Sequence, residues 1–306
     1  KSGVVGENQV RGVPEILRKN VHGTGSNVRV FVTGGEGQLG RAMASTFAGD
    51  ELYLGRHSTE DITRNEMIET VIRFRPDVIV HAAAMTDVDA CELKPDQAFL
   101  VNEQGTRHVA QAAKQTGALM VYVSTDYVFD GTKESPYLET DPTNPVNVYG
   151  QSKRAGERAT QETADRWLIV RTSWVYGEGR KNFVTNVLEW AKTQPVLRLV
   201  KDKVGSPTYA VDLARAIRHL INAGVSSRTF HASGEGCCTW VEYGQEILKR
   251  VGVEKEIVPI LFEELKRPAQ RPSYSVLKNA PLNQTGFTMR LWKPALREFL
   301  ESGVLK

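Results

Sequence analysis

The chain has 306 residues, 41% hydrophobic, 25% charged and 8% aromatic, a balance that supports a large buried core and excludes whole-chain disorder, collagen and coiled coil. Its 39 Lys+Arg against 36 Asp+Glu leave a net charge of +3, too small to argue for nucleic acid or a polybasic membrane surface as partner. No apolar run approaches the roughly 20 residues of a membrane span, and Cys91, Cys237 and Cys238 make no disulfide framework, so a reducing, cytoplasmic compartment fits.

Residues 1–27 carry glycine, polar and basic residues without the order of a signal peptide. They read as a linker or N-terminal arm, as would follow a fused upstream domain. The alternative is a docked segment using Val13, Ile16 and Leu17. From Val28 onward, short apolar runs alternate with helical stretches. The predicted strands are Val28–Val32, Glu51–Leu54, Asp77–Val80, Leu119–Val123 and Trp167–Val170. Between them the spacing predicts helices over Gln38–Phe47, Asn65–Phe74, Gln97–Gln115 and Tyr149–Ala164. Strands apolar on both faces, alternating with helices, predict an α/β, Rossmann-like doubly wound parallel sheet. Residues 28–171 would form mainly the NAD(P)-binding core. After Arg171 prolines and glycines break the rhythm, and helices are expected over Asn182–Lys192, Val211–Asn222, Thr239–Val251 and Lys293–Glu301. Residues 172–306 read mainly as a substrate-binding lobe, with some segments returning to the core.

The first strand runs through Thr33 into Gly34-Gly35-Glu36-Gly37-Gln38-Leu39-Gly40 and then a helix. Gly34, Gly37 and Gly40 have the spacing that lets a tight turn, a close backbone approach and a helix N-terminus cradle a pyrophosphate. At the end of the second strand an acidic residue would select NAD by binding the ribose 2′-OH. Here Gly55-Arg56 stands in its place, and Arg56 can pair with a 2′-phosphate, so NADPH is expected to serve at least as well as NADH. Asp61 and Ile62 can meet the adenine, and Ala82, Ala83 and Ala84 leave room for a cofactor over the third strand end.

Tyr149 and Lys153 stand four residues apart at the start of a helix, which puts a phenol beside an ammonium on one face. The cation is expected to lower the phenol pKa so that the tyrosine can exchange a proton with a carbonyl or alkoxide. The fourth strand ends in Thr125-Asp126-Tyr127. Thr125 can donate to a substrate oxygen, and Asp126 and Tyr127 can hold a hydroxyl or tune Tyr149.

With these motifs in place the chain resembles the extended short-chain dehydrogenase/reductase superfamily and, more narrowly, the family of dTDP-4-dehydrorhamnose reductases. The resemblance rests on GEGQLG (35–40), RPDVIVHAAAMTDVDACE (75–92), STDYVFDGT (124–132), NVYGQSKRAGE (147–157), RTSWVYGEGRKNFV (171–184), DKVGSPT (202–208) and PAQRPSYSVL (268–277). It implies a sugar-nucleotide 4-keto reductase, with Tyr149 as proton donor and Lys153 binding the nicotinamide ribose. It further implies Gly37, Gln38 and Leu39 at the cofactor phosphates, Asp61 and Ile62 at the adenine, and Ala82, Ala83 and Ala84 along the cofactor. Thr125, Asp126 and Trp174 would contact the sugar, and Tyr127 would adjust the proton donor's surroundings. A homodimer and Mg2+ at its interface are implied by the resemblance alone. No carboxylate cluster in the sequence places a metal. The chain departs from the family at Gly55 and at Ala90. Two other readings remain open: a reductase or epimerase of a UDP-linked 4-keto sugar, and a non-catalytic cofactor-binding subunit like the beta subunit of methionine adenosyltransferase.

Overall fold

A computed structural model of the chain describes residues 27–303. The linker-or-arm reading of residues 1–27 lies outside them except for Asn27. Apolar runs become β1 (Arg29–Thr33), β2 (Glu51–Leu54), β3 (Val78–His81), β4 (Leu119–Thr125) and β5 (Trp167–Thr172), with β2 partly exposed at the sheet edge. The connecting helices are α1 (Gln38–Thr46), α2 (Glu66–Phe74), α3 (Val88–Leu93), α4 (Pro95–Phe99), α5 (Thr106–Thr116) and α6 (Val148–Thr163).

Beyond β5 come β6 (Val175–Tyr176), α7 (Phe183–Thr193), β7 (Leu197–Val200), β8 (Val204–Gly205) and β9 (Thr208–Tyr209). Then follow α8 (Ala210–Asn222), β10 (Arg228–His231), β11 (Cys238–Thr239), α9 (Trp240–Val251), β12 (Ile257–Ile260), α10 (Ala280–Gln284) and α11 (Trp292–Glu301).

The main sheet has six strands in the order β10-β5-β4-β3-β1-β2, every neighbouring pair parallel. The chain order reverses on either side of β1, so a crevice opens at the carboxyl ends of β1 and β3, where ligands bind in such sheets. One core packs Val30, Val32, Met43 and Phe47 against Leu213, Ile217 and Leu220 of α8 and Phe230 of β10. A second core gathers Tyr176, Val187, Leu197, Tyr243, Ile247, Leu296 and Phe299, all from the later half.

Three departures from the sequence expectations concern the main sheet and the helices beside the site. The helix expected over Gln97–Gln115 is divided into α4, a wide π turn at Leu100–Gly105, and α5. That turn aims Asn102 inward, where its amide bonds the backbone of Met85 on both sides (2.8 and 3.0 Å) and Ser152 Oγ (3.0 Å). α3 falls where no helix was expected, capped by Asp87 accepting from the Ala90 N–H. β10 adds a sixth strand, in register Arg228 with Leu168 through His231 with Arg171. Among the described residues no helix is long and apolar enough to cross a membrane.

Candidate active site

A cleft of about 680 Å³ runs along the carboxyl ends of the strands, within the usual size of ligand sites. At one end β1 passes into Gly34, held at φ +70°, with its Cα side only 2.9 Å short of the Ala83 backbone for any added Cβ. Only glycine meets both demands without strain. A Cβ on Gly40 would lie 2.5 Å from the Gly35 backbone, so α1 approaches the loop closely.

Gly37 caps α1 in extended conformation, no side chain bonds the cap, and no acidic residue stands in the first turn. The first N–H groups of α1, with the positive end of its dipole, therefore face the cleft free of protein acceptors. Residues of this kind fit a dinucleotide pyrophosphate. Gln38, Leu39 and Gly40 line the same wall.

Farther along, Asp61 accepts from the backbone and hydroxyl of Thr63 (3.0 and 2.7 Å), and Ile62 packs beneath Gly105. Ala82, Ala83 and Ala84 form the floor, with the Ala83 N–H bonded to Thr33 Oγ1 (3.1 Å). Arg56, expected to meet a 2′-phosphate, stands apart from the other cofactor residues. Its side chain is exposed and outside the residues lining the cleft, whereas His57, Glu60 and Asp61 line it.

Glu60 is the acid that sequence reading missed. It lies a few residues past the strand end, where the fingerprint does not look for it. Its carboxylate accepts from Tyr53 Oη (2.7 Å), Thr59 Oγ1 (2.6 Å) and the Arg56 N–H (2.7 Å). All of these are protein donors, so Glu60 fastens the loop.

Asn147 starts α6 by accepting from the Gly150 N–H (2.8 Å). A Cβ on Gly150 would fall 2.1 Å from the Tyr127 carbonyl oxygen, so the helix start is pressed against the end of β4. This contact brings Tyr149 and Tyr127 edge to face, with centroids 5.9 Å apart. Thr125 Oγ1 donates to Asp126 Oδ1 (3.0 Å) and accepts from the Tyr127 N–H (3.1 Å).

Lys153, 3% exposed, donates to the Val123 carbonyl (2.8 Å) and stands over the Tyr122 ring at 4.1 Å. Trp174 forms the opposite wall, lining the cleft on one side and packed against the second core on the other. The cleft thus brings together every residue expected there except Arg56.

The electrostatics differ from the expectation for Tyr149. Burial pushes its phenol well above the ordinary tyrosine range, and the neighbouring Thr125 hydroxyl pulls the other way. The Lys153 ammonium is engaged by the Val123 carbonyl and is itself held down to about 7 by burial. Burial likewise raises Asp126 to about 7, opposed by hydrogen bonds from Ser275 and Thr125, and its Oδ2 is buried without a partner. His81, between Thr33 (2.7 Å) and Thr106 (3.0 Å), is driven down to about 3 by burial and is neutral.

Among the described residues no group of three or more His, Cys, Asp or Glu side chains is placed to hold a metal ion. Trp240, Asn182 and Phe183, also missed, complete the wall beside Trp174. The sequence signal for Asn182 was its place before an apolar helical run, where it caps α7.

Residues 28–304 match the family described as RmlD substrate binding domain. A spore coat polysaccharide biosynthesis protein of Bacillus subtilis is 39% identical over 278 residues, covering 89% of this chain and 97% of that protein. A dTDP-4-dehydrorhamnose reductase of Burkholderia thailandensis is 37% identical over 290 residues, covering 88% and 97%. Among solved structures, a dTDP-4-dehydrorhamnose reductase of Bacillus anthracis in complex with NADP is similar with a TM-score of 0.87 and 36% identity, over 90% of this chain and 100% of that one.

Proposed function

Because the chain belongs to the RmlD substrate binding domain family, we propose that it reduces the C4 keto group of dTDP-4-dehydro-L-rhamnose to dTDP-L-rhamnose with NADPH or NADH. The observation that carries this reading is the convergence of Tyr149, Lys153, Thr125 and Trp174 in the one cleft that also holds the glycine loop.

The reduced nicotinamide, when bound, supplies the hydride to the sugar C4. Tyr149 supplies the proton. Its raised pKa keeps the phenol protonated at neutral pH, which suits a donor to an alkoxide more basic than phenolate. Thr125 turns its hydroxyl from Asp126 to the carbonyl oxygen and stabilises the charge that develops there. Lys153 keeps one N–H on the Val123 carbonyl and offers the others to the nicotinamide ribose. The N-terminus of α1 holds the pyrophosphate, and Asp61 and Ile62 meet the adenine.

Trp174, Trp240 and Phe183, from the part of the chain beyond β5, form the wall assigned to the sugar nucleotide. This supports reading residues 172–306 as mainly the substrate lobe. The thiols of Cys91, Cys237 and Cys238 are all unpaired, which supports a cytoplasmic setting. The intact donor set argues against a purely regulatory subunit.

The test is loss of reduced-nicotinamide absorbance with dTDP- and UDP-linked 4-keto-6-deoxy sugars. Turnover of the dTDP compound with at least one cofactor is expected. No turnover of it, or a clear preference for the UDP compound, would overturn the reading.

A further inference from the structure

Glu157 is fully buried, and no step above uses it. It follows Tyr149 and Lys153 at four-residue intervals, so the three share one face of α6. Its Oε1 accepts from Ser124 Oγ (2.7 Å) and Arg171 Nε (2.7 Å), and its Oε2 from Arg171 Nη2 (2.8 Å) and Arg154 Nη1 (3.2 Å). Ser124 directly precedes Thr125 at the end of β4. Arg171 lies in β5, three residues before Trp174. One carboxylate therefore ties the helix that carries the phenol and the ammonium to both strand ends that carry the facing wall.

We infer that Glu157 is a positioning residue of this site: through Ser124 and Arg171 it sets Tyr149 against Thr125, and its negative charge sustains the charge on Lys153. The inference rests on the roles given above to Tyr149 and Lys153. Burial holds Lys153 down, and the charge of Glu157 is the largest influence opposing it. The other groups facing the ammonium are the Tyr122 ring of β4, His81 of β3 and Cys91 of α3. His81 is neutral with its pKa near about 3, and burial pushes the Cys91 thiol up to about 11, so neither supplies a counter-charge at neutral pH. Removing the Glu157 charge also leaves Arg171 and Arg154 without their shared counter-charge.

The ammonium form of Lys153 is lost as pH rises through its pKa. Lowering that pKa moves the loss to lower pH. In Glu157→Gln, the alkaline midpoint of kcat and of cofactor affinity, followed by nicotinamide fluorescence, is expected to fall by about half a pH unit or more. The kcat is expected to drop roughly tenfold at mildly alkaline pH, with KM for the sugar nucleotide within about twofold. Glu157→Asp keeps the charge and should restore the midpoint. Ser124→Ala removes one bond and no charge, and should lower kcat several-fold with the midpoint in place.

A wild-type midpoint in Glu157→Gln overturns the inference. If that variant does not fold, a shifted midpoint in Glu157→Asp or a wild-type kcat in Ser124→Ala overturns it. The fluorescence arm needs no sugar turnover, so it remains readable if the substrate assignment fails. Absence of cofactor binding by the unmodified chain would instead defeat the reductase reading.

Discussion

Trp174 lies flat on Trp240, with ring centroids 3.7 Å apart and planes 13° from parallel. Beneath it Gly205 leaves no room for a Cβ, which would come within 2.4 Å of the indole. The backbone of Trp174 sits at φ +43°, a strained region for a bulky residue that persists only where the surroundings impose it. The stack and the missing Cβ impose it here, with Trp174 and Trp240 both lining the cleft. Trp174→Ala is therefore expected to weaken dTDP-rhamnose binding by about 1–3 kcal/mol in calorimetric titration. The melting temperature should fall only modestly, because the indole is only partly buried. Intact affinity with a large drop in melting temperature would return Trp174 to a purely structural role.

Tyr149→Phe removes one hydroxyl from a half-buried ring. The fold and cofactor affinity should persist while kcat falls roughly 10²-fold or more, the usual scale of a general acid. Stopped-flow reduction with saturating cofactor checks this, and a near wild-type rate would exclude the phenol as donor.

Asp126 gives a stability prediction with a definite sign. Its folded pKa, raised to about 7 by burial, exceeds the ordinary value of about 3.9 expected in the unfolded chain. The folded state thus binds the extra proton between those values. The stability tied to it is present below the lower pKa and is lost as pH rises through about 7. Asp126→Asn keeps the shape and removes the buried charge. Its melting temperature should exceed that of the parent above neutral pH, and the advantage should shrink in mild acid. An advantage independent of pH would show that the carboxyl does not titrate in this range.

The loop after β2 separates two effects on cofactor binding. Glu60 fastens the loop through three protein donors, so Glu60→Ala should raise KM for NADPH and NADH alike. Arg56 is exposed at the rim and free to swing toward a 2′-phosphate, which only NADPH carries. Arg56→Ala should raise KM for NADPH alone. Equal effects of Arg56→Ala on both cofactors would remove it from the site.

Gly150→Ala forces a methyl toward the Tyr127 carbonyl. Shifting the start of α6 should cost about 1–3 kcal/mol of stability, the usual scale of overpacking. It should also depress kcat more than KM, since Tyr149 moves with the helix. Unchanged kinetics would show that the helix start tolerates displacement.

The parts of this protein that depend on near neighbours in the chain were legible in its residues. Apolar runs and helical periods placed β1 through β5 within a residue or two, because burial on both faces of a strand leaves a continuous pattern. The glycine loop and the Tyr149–Lys153 pair were equally readable, since a turn and an i, i+4 face are local geometry.

Tertiary structure alone decided what depends on distant neighbours. β10 is half exposed along its length, a pattern too weak to announce a strand until β5 offers it a partner. The fold of one loop turned Glu60 inward to line the cleft and left Arg56 exposed beside it. Tyr149 was expected to be acidified by Lys153, yet burial raises it, and the ammonium answers first to the Val123 carbonyl. Desolvation depends on how much protein surrounds a group in space, and no spacing along the chain records that. The stack of Trp174 on Trp240 is of the same kind, a strained backbone held by Gly205 and Trp240, far away in sequence.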